Sequence, residues 1–418
     1  MLMLRSCSPS RCSIITSRWP HNTGAPELHT HLPTQMITFP ELLRKNGYYT
    51  VLAGKNHMGD VKRAFNFISG GKGPGLQENW VSILAKRPKE KPFFMWLASS
   101  DAHHPFTIRK GQGKIYDPDE IDVPPYLYNG PLTRQDMAKY YHEVSRADYY
   151  MGKLLAELER QNISDNTYVI FCADNGQPFP RAKTRMYDSG SKSPLIIWSP
   201  KKVKPAVSDS MVSLIDIGPT VLNLAGIEKA DSMFGVSLKP VLKNRKKSVR
   251  DFVFVEHNWH VLPAHERMVR FGDWLYIKNS WSFEPLGCRE ILPLKDEFPT
   301  AYELNQMRKK RKLKPEQLDV YLQKRPTEEF FYVKKDEHQF KNLVNQKECG
   351  HILNYARAVL NLWTTETKDS VPDLRYRSPM KAIGYRGHVG DFEKPGDATK
   401  AWTVNNPGPI RYSDVETK

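Results

Sequence analysis

The pentapeptide Cys7-Ser8-Pro9-Ser10-Arg11 sets a thiol close to a permanently charged guanidinium, the sharpest local signal in the chain. Gly54-Lys55-Asn56-His57-Met58-Gly59 adds a cation and an imidazole, and Ala102-His103-His104-Pro105-Phe106 adds two more imidazoles. Asp174-Asn175-Gly176 supplies adjacent hard oxygens of the kind Ca²⁺ prefers, and Lys183 follows in a basic loop. Together these types offer a nucleophile, a base, an acid for a leaving group, cations for an anionic group and a seat for a metal ion. Each also has a plain reading as a small buried cysteine, a surface charge or a turn after a strand, and context decides between the two.

The elements that must position these residues are readable. Thr38 and Glu41 make a capping box ahead of a short helix that Gly47 stops. Tyr48 to Ala53 is β-prone and runs into the Lys55-His57 loop; Phe93 to Ala98 repeats the arrangement before His103. Between Thr133 and Gln161 apolar residues recur at three- and four-residue spacing, which predicts a long helix whose Met and Tyr stripe is core. Tyr168 to Cys172 is a continuous apolar run, suited to a strand buried on both faces, and it empties into Asp174. Helices alternating with such strands predict an α/β fold with a large, mostly parallel sheet flanked by helices. In that architecture polar clusters gather outside the carboxyl ends of the strands.

Past Leu242 a basic stretch precedes strand-like Phe252 to Val255. Met268 to Ile277 then reads as a hairpin turning at Gly272-Asp273, and a charged helix is expected around Ala301 to Gln323. The division expected is a catalytic domain over 1–242, a smaller α+β unit over 243–364 and an irregular tail over 365–418.

The 62 Lys+Arg against 46 Asp+Glu leave +16, which favours a polyanionic partner without choosing among nucleic acid, anionic lipid and sulfated polysaccharide. Arg308 to Lys312 reads as a solvated helix face, and without interleaved stacking aromatics nucleic-acid binding is discounted. Cys7, Cys12, Cys172, Cys288 and Cys349 are too scattered for a disulfide framework or zinc spacing. No run reaches the roughly 20 apolar residues of a membrane span, and no signal-peptide apolar region is present.

In order along the chain, these motifs resemble those of the type I sulfatase family within the alkaline phosphatase-like superfamily. Its Cys-x-Pro-Ser-Arg is matched at Cys7 to Arg11, its Gly-Lys-x-His-x-Gly at Gly54 to Gly59, its His-x-Pro at His103 to Pro105 and its Asp-Asn-Gly at Asp174 to Gly176. Ser17 stands where the family usually has Gly. Asp216 to Thr220 and Leu224 to Gly226 resemble the family's late helix, and Glu328 to Asn345 its C-terminal motif more loosely. Asp174 to Pro180 with Ala182 to Tyr187 is most similar to the heparan N-sulfatase (sulfamidase) branch.

The resemblance implies that Cys7 is oxidised to formylglycine by a formylglycine-generating enzyme, and that its hydrate attacks sulfur. It implies Ca²⁺ held by Asp174, Asn175 and the modified Cys7, with Arg11, Lys55 and Lys183 as electrostatic clamps. His57 is then the base and His103 the leaving-group acid, preferred to His104 because it stands two residues before the proline. The substrate implied is an N-sulfoglucosamine of a heparan-type poly- or oligosaccharide, in a periplasmic, lysosomal or secreted setting. The family carries, ahead of the Cys motif, an apolar strand ending in an Asp-Asp pair, whereas six residues precede Cys7 here. The expectation is a sheet without that strand and a metal site without those two ligands. Two other readings follow: an impaired sulfatase-fold protein that binds sulfated glycans, and a related phosphate or phosphonate ester hydrolase.

Overall fold

The computed structural model describes residues 7–258, 260, 264–282, 289–371 and 403–415. Cys288 and most of the expected tail, 372–402 and 416–418, lie outside the described residues. The chain opens with helix α1 (Cys7–Thr16), buried at every residue, and α2 (Phe39–Lys45). Thr38 is the N-cap of α2, but the expected capping box does not form. The Glu41 side chain pairs instead with Lys45 at 3.1 Å and Arg63 at 3.5 Å.

Strands β1 (Tyr49–Gly54), β2 (Phe67–Ser69) and β3 (Phe93–Ala98) form a parallel trio in the order β2-β1-β3, with α3 (Trp80–Lys86) in the β2–β3 connection. The long α4 (Pro131–Arg160) follows, as the periodicity predicts, with proline in its first turn. Tyr150, Leu154 and Leu158 on α4 pack with Val51 and Ala53 of β1 and with Trp80 and Leu84 of α3; nearer its start, Met137 and Ala138 pack with Phe106 and Phe179.

Strand β4 (Val169–Cys172), helix α5 (Asp188–Ser191) and β5 (Leu195–Trp198) come next, β4 and β5 forming an antiparallel pair. The layer is therefore mixed rather than parallel throughout. Among the described residues neither β3 nor β4 has a strand on its second edge. The same apolar clusters nevertheless hold both: Phe94, Trp96, Ile170 and Cys172 pack with α1, α2 and α6 (Ile217–Leu224), while Phe93, Met95 and Val169 pack with α4. Expected to be buried on both faces, β4 is half-buried at all four residues, because one paired edge leaves its flanks partly open.

After α7 (Lys239–Lys243), four antiparallel strands run in the order β6 (Val253–His257), β7 (Glu266–Phe271), β8 (Trp274–Asn279) and β9 (Glu328–Tyr332). The hairpin turns at Gly272-Asp273, as read from the sequence. Alternation along β6 sends Phe254 to the face covered by α9 (Gly350–Glu366), and Val253 and Val255 to the face covered by Met186 and Tyr187. Trp363 of α9 stacks on Phe254 at 4.9 Å and meets Trp19 edge-on at 5.7 Å, so the segment after α1 belongs to this core too. Helix α9 runs two residues past position 364, and Val404 and Ile410 add to the same cluster. Helix α8 (Pro299–Lys309) stops well short of Gln323. Arg311 takes a left-handed φ of 56°, the like charges of Arg308 to Lys312 face solvent, and Pro315 starts a separate short turn. Among the described residues no helix is long and apolar enough to cross a membrane.

Candidate active site

Three loops leave the carboxyl ends of β1, β3 and β4 and meet the start of α1. Gly54 ends β1 with φ 96°, and a Cβ there would lie 2.0 Å from the Ala98 carbonyl oxygen. Only glycine lets the ends of β1 and β3 close so that Lys55 N donates to that oxygen at 2.8 Å. His57 is held left-handed at φ 59°, ordinarily a cost of about 1–2 kcal/mol. Asn56 braces it, accepting from Met58 N at 3.2 Å and donating to the Gly59 carbonyl at 2.8 Å.

Cys7, Lys55, His57, His103 and Lys183 line one cavity of about 350 Å³. Cys7, 5% exposed, stands in the first turn of α1, with its Sγ 3.5 Å from both Lys55 Nζ and Asn175 Oδ1. One turn on, Arg11 ties two loops together: Nε donates to Asp174 Oδ2 at 2.7 Å and a terminal nitrogen donates to the Lys55 carbonyl at 2.9 Å. Burial works against ionising Asp174, but Arg11, then Lys55 and Lys183, hold its carboxyl below the usual range. An ionised carboxylate and an amide oxygen beside the thiol fit two places of a hard-cation site, which for Ca²⁺ takes roughly six to eight oxygens. The cluster His21, Glu256 and Asp369 also has metal spacing, but Arg267 bonds Asp369 at 2.5 Å and approaches Glu256 to 3.9 Å, so a cation already neutralises it.

The two histidines are neutral near pH 7. Burial pushes His57 down to about 3, with Lys55, His29 and Arg11 adding to it. Burial pushes His103 down to about 4, with Lys183 and Lys55 adding. The His103 Nδ1 lies 2.7 Å from the His104 carbonyl, an acceptor, so Nδ1 carries the proton and Nε2 is left to work in the cavity. His104, in contrast, is fixed by Asp136 at 3.1 Å.

Residues 75–227 match the Sulfatase family. An ulvan-active sulfatase of Formosa agariphila is 27% identical over 421 residues, covering 87% of this chain and 67% of the relative. Human N-sulphoglucosamine sulphohydrolase is 27% identical over 415 residues, covering 87% of this chain and 82% of the human protein. These matches support the sulfatase family for the chain. It is thereby a sulfuric ester hydrolase, of a family that implies formylglycine and a divalent metal. The sulfatase fold agrees with solved structures. A protein in complex with its substrate D-glucosamine-2-N,6-O-disulfate gives a TM-score of 0.65 at 18% identity over 89% of this chain and 90% of that one. The phosphonate monoester hydrolase of Silicibacter pomeroyi gives 0.64 at 17% identity over 90% of each.

Several residues in or beside this cavity carry no signal in the sequence. His29 Nδ1 lies 2.8 Å from His57 Nε2, although His29 stands far from any motif. His260, Arg289 and Glu290 line the cavity from the C-terminal half, and Glu290 Oε1 takes a hydrogen bond from Lys183 Nζ at 2.5 Å. On the opposite wall Asp101 and Glu143 are both bound by Arg146, at 2.6 and 3.1 Å.

Proposed function

We propose that this sulfatase removes the sulfo group of N-sulfoglucosamine in heparan-type glycans, with Cys7 as its modified nucleophile position. The observation that carries the reading is the meeting of Cys7, Lys55, His57, His103 and Lys183 around one cavity, with Arg11, Asp174 and Asn175 behind the thiol. Such a reaction needs a nucleophile, neutralisation of three sulfo oxygens and a proton for the leaving group. As formylglycine hydrate, position 7 would supply the attacking hydroxyl, and Ca²⁺ held by Asp174 and Asn175 with position 7 would supply a Lewis acid beside it.

The chain's own groups do the rest. Lys55, close to position 7, binds a sulfo oxygen as a point charge, and Lys183 binds a second from the far side. Arg11 keeps the Lys55 and Asp174 loops in register. His57 takes a proton at Nδ1, which has no hydrogen-bond partner among the described residues; its Nε2–H then makes the hydrogen bond to His29 Nδ1. His103 holds at Nε2 the proton for the leaving atom, and the negative sulfo group offsets the two lysines that otherwise drive that proton off. The partners that go with this reading are a sulfated poly- or oligosaccharide and a formylglycine-generating enzyme, in a periplasmic, lysosomal or secreted compartment.

The test is mass spectrometry of the tryptic peptide containing Cys7 after co-expression with a formylglycine-generating enzyme. Conversion of thiol to aldehyde lowers the mass by about 18 Da, distinct from the oxygen additions of ordinary thiol oxidation. An unmodified thiol, where a control sulfatase is converted, sinks the reading. It would leave the second one, a protein that binds sulfated glycan without turnover. Parallel assays on aryl sulfate and aryl phosphate separate both from a phosphate or phosphonate hydrolase.

A further inference from the structure

Glu290 lies in the short turn Arg289–Ile291, with a side chain 3% exposed that lines the cavity. Its Oε1 accepts from Lys183, while its Oε2 is buried and has no hydrogen-bond partner among the described residues. Burial opposes ionisation of this carboxyl, but Lys183, then His260, hold it well below the usual carboxylate range. Apart from Lys183 and His260 only the residue's own backbone N–H acts on this carboxylate, and with no described group hydrogen-bonded to Oε2 that oxygen is an acceptor lacking its donor. The other two carboxylates of the wall differ, since Asp101 is held by Arg146 through both oxygens at 2.6 and 2.8 Å and Glu143 by Thr107 N at 2.8 Å. Glu290 and His103 line the same cavity, and the charge of Glu290 reaches His103 together with those of Lys183 and Lys55.

Substrates of this family differ in the atom that bridges sulfur to the sugar. A sulfamate bridges through N–H, which can donate; a sulfate ester bridges through oxygen, which has only lone pairs to offer. We propose that Glu290 makes the cavity selective for N-sulfo over O-sulfo groups: its Oε2 accepts a hydrogen bond from the bridging N–H of a sulfamate. The bridging oxygen of an ester meets the same carboxylate lone pair to lone pair, so selectivity comes from repulsion as well as attraction. Lys183 serves both partners, fixing the charge of Glu290 and reaching the sulfo oxygens. This assignment rests on the sulfatase reading above and adds to it the bridging atom that is recognised.

Cyclohexylsulfamate and cyclohexyl sulfate differ only in that bridging NH or O. Both are titrated by calorimetry into the wild-type chain and Glu290→Gln, with inorganic sulfate as a third probe. Wild type is expected to bind the sulfamate about tenfold or more tightly than the ester, the range of a hydrogen bond to a charged group, and Glu290→Gln to bring the ratio within about threefold. Loss by one common factor on both organic ligands, with the ratio kept, assigns Glu290 to holding Lys183 alone and overturns the proposal. Equal affinities in wild type overturn it without any variant, so a Glu290→Gln chain that fails to fold leaves the test standing. Absence of binding by all three probes, inorganic sulfate included, overturns the sulfo-group reading itself and this assignment with it.

Discussion

The four-stranded C-terminal sheet and the strands β1 to β5 are built to different standards of closure. In the former, β6, β7 and β8 are almost wholly buried, with α9 over one face and Met186 and Tyr187 under the other. In the latter, β3 and β4 are half-buried along most of their length, and among the described residues each has one edge without a strand. Yet the loops proposed to carry the chemistry hang from β1, β3 and β4, and among the described residues the C-terminal half adds His260, Arg289 and Glu290 to the cavity wall. Stability and the proposed chemistry are thus unequally shared: one region anchors the chain, and the less covered one presents most of the cavity residues.

The sharpest way to break that comparison is a matched pair of truncations. Trp363→Ala removes an indole that is 2% exposed and packed on Phe254 and Trp19, and is expected to cost about 3–5 kcal/mol in urea denaturation. Ile170→Ala on half-buried β4 is expected to cost about 1–2 kcal/mol, since less apolar area leaves water on folding. Equal losses at the two sites would remove the distinction.

Lys55→Ala tests the other half of the comparison. It removes the cation nearest position 7 and is expected to lower kcat by about 10²–10³-fold, as loss of one electrostatic donor does, while the denaturation midpoint moves little. A large loss of stability instead would make Lys55 a structural residue.

The effects of pH run in opposite directions for stability and for activity. His57, His103 and His260 are pushed down to about 3, 4 and 3, chiefly by burial, so between roughly pH 6.5 and 4 the unfolded chain binds protons that the folded one refuses. Stability is therefore full above the unfolded value near 6.5 and falls as pH drops through that window, which melting curves at stepped pH would record. Activity should behave otherwise: a leaving-group acid with a pKa of about 4 puts the kcat/KM optimum on the acid side of neutrality. His103→Gln should flatten that limb, and an unchanged profile would remove His103 from the acid role.

How far the sequence could be read follows from the range of each signal. Helix α4 and the hairpin at Gly272-Asp273 were legible because helical spacing and turn chemistry act over a few residues. The motif residues Cys7, Lys55, His57, His103 and Lys183 were legible as candidates because each stands in a short local pattern, and the structure brings them around one cavity. Glu290, His260 and His29 were not, because packing across the chain puts them beside Lys183 and His57, and nothing around them in sequence marks that. Half-burial of β4 escaped for the same reason: an apolar run tells what a strand can bury, not how many neighbours it finds. The end of α8 was misread through Arg311, whose left-handed turn interrupts a helix-prone, charged stretch.

The most direct test of the central claim is release of inorganic sulfate from N-sulfoglucosamine by the chain matured with a formylglycine-generating enzyme and supplied with Ca²⁺, beside its Cys7→Ala variant. The account predicts release by the former and none above background by the latter. Equal release from both, or none from a chain whose Cys7 is fully converted, would contradict it.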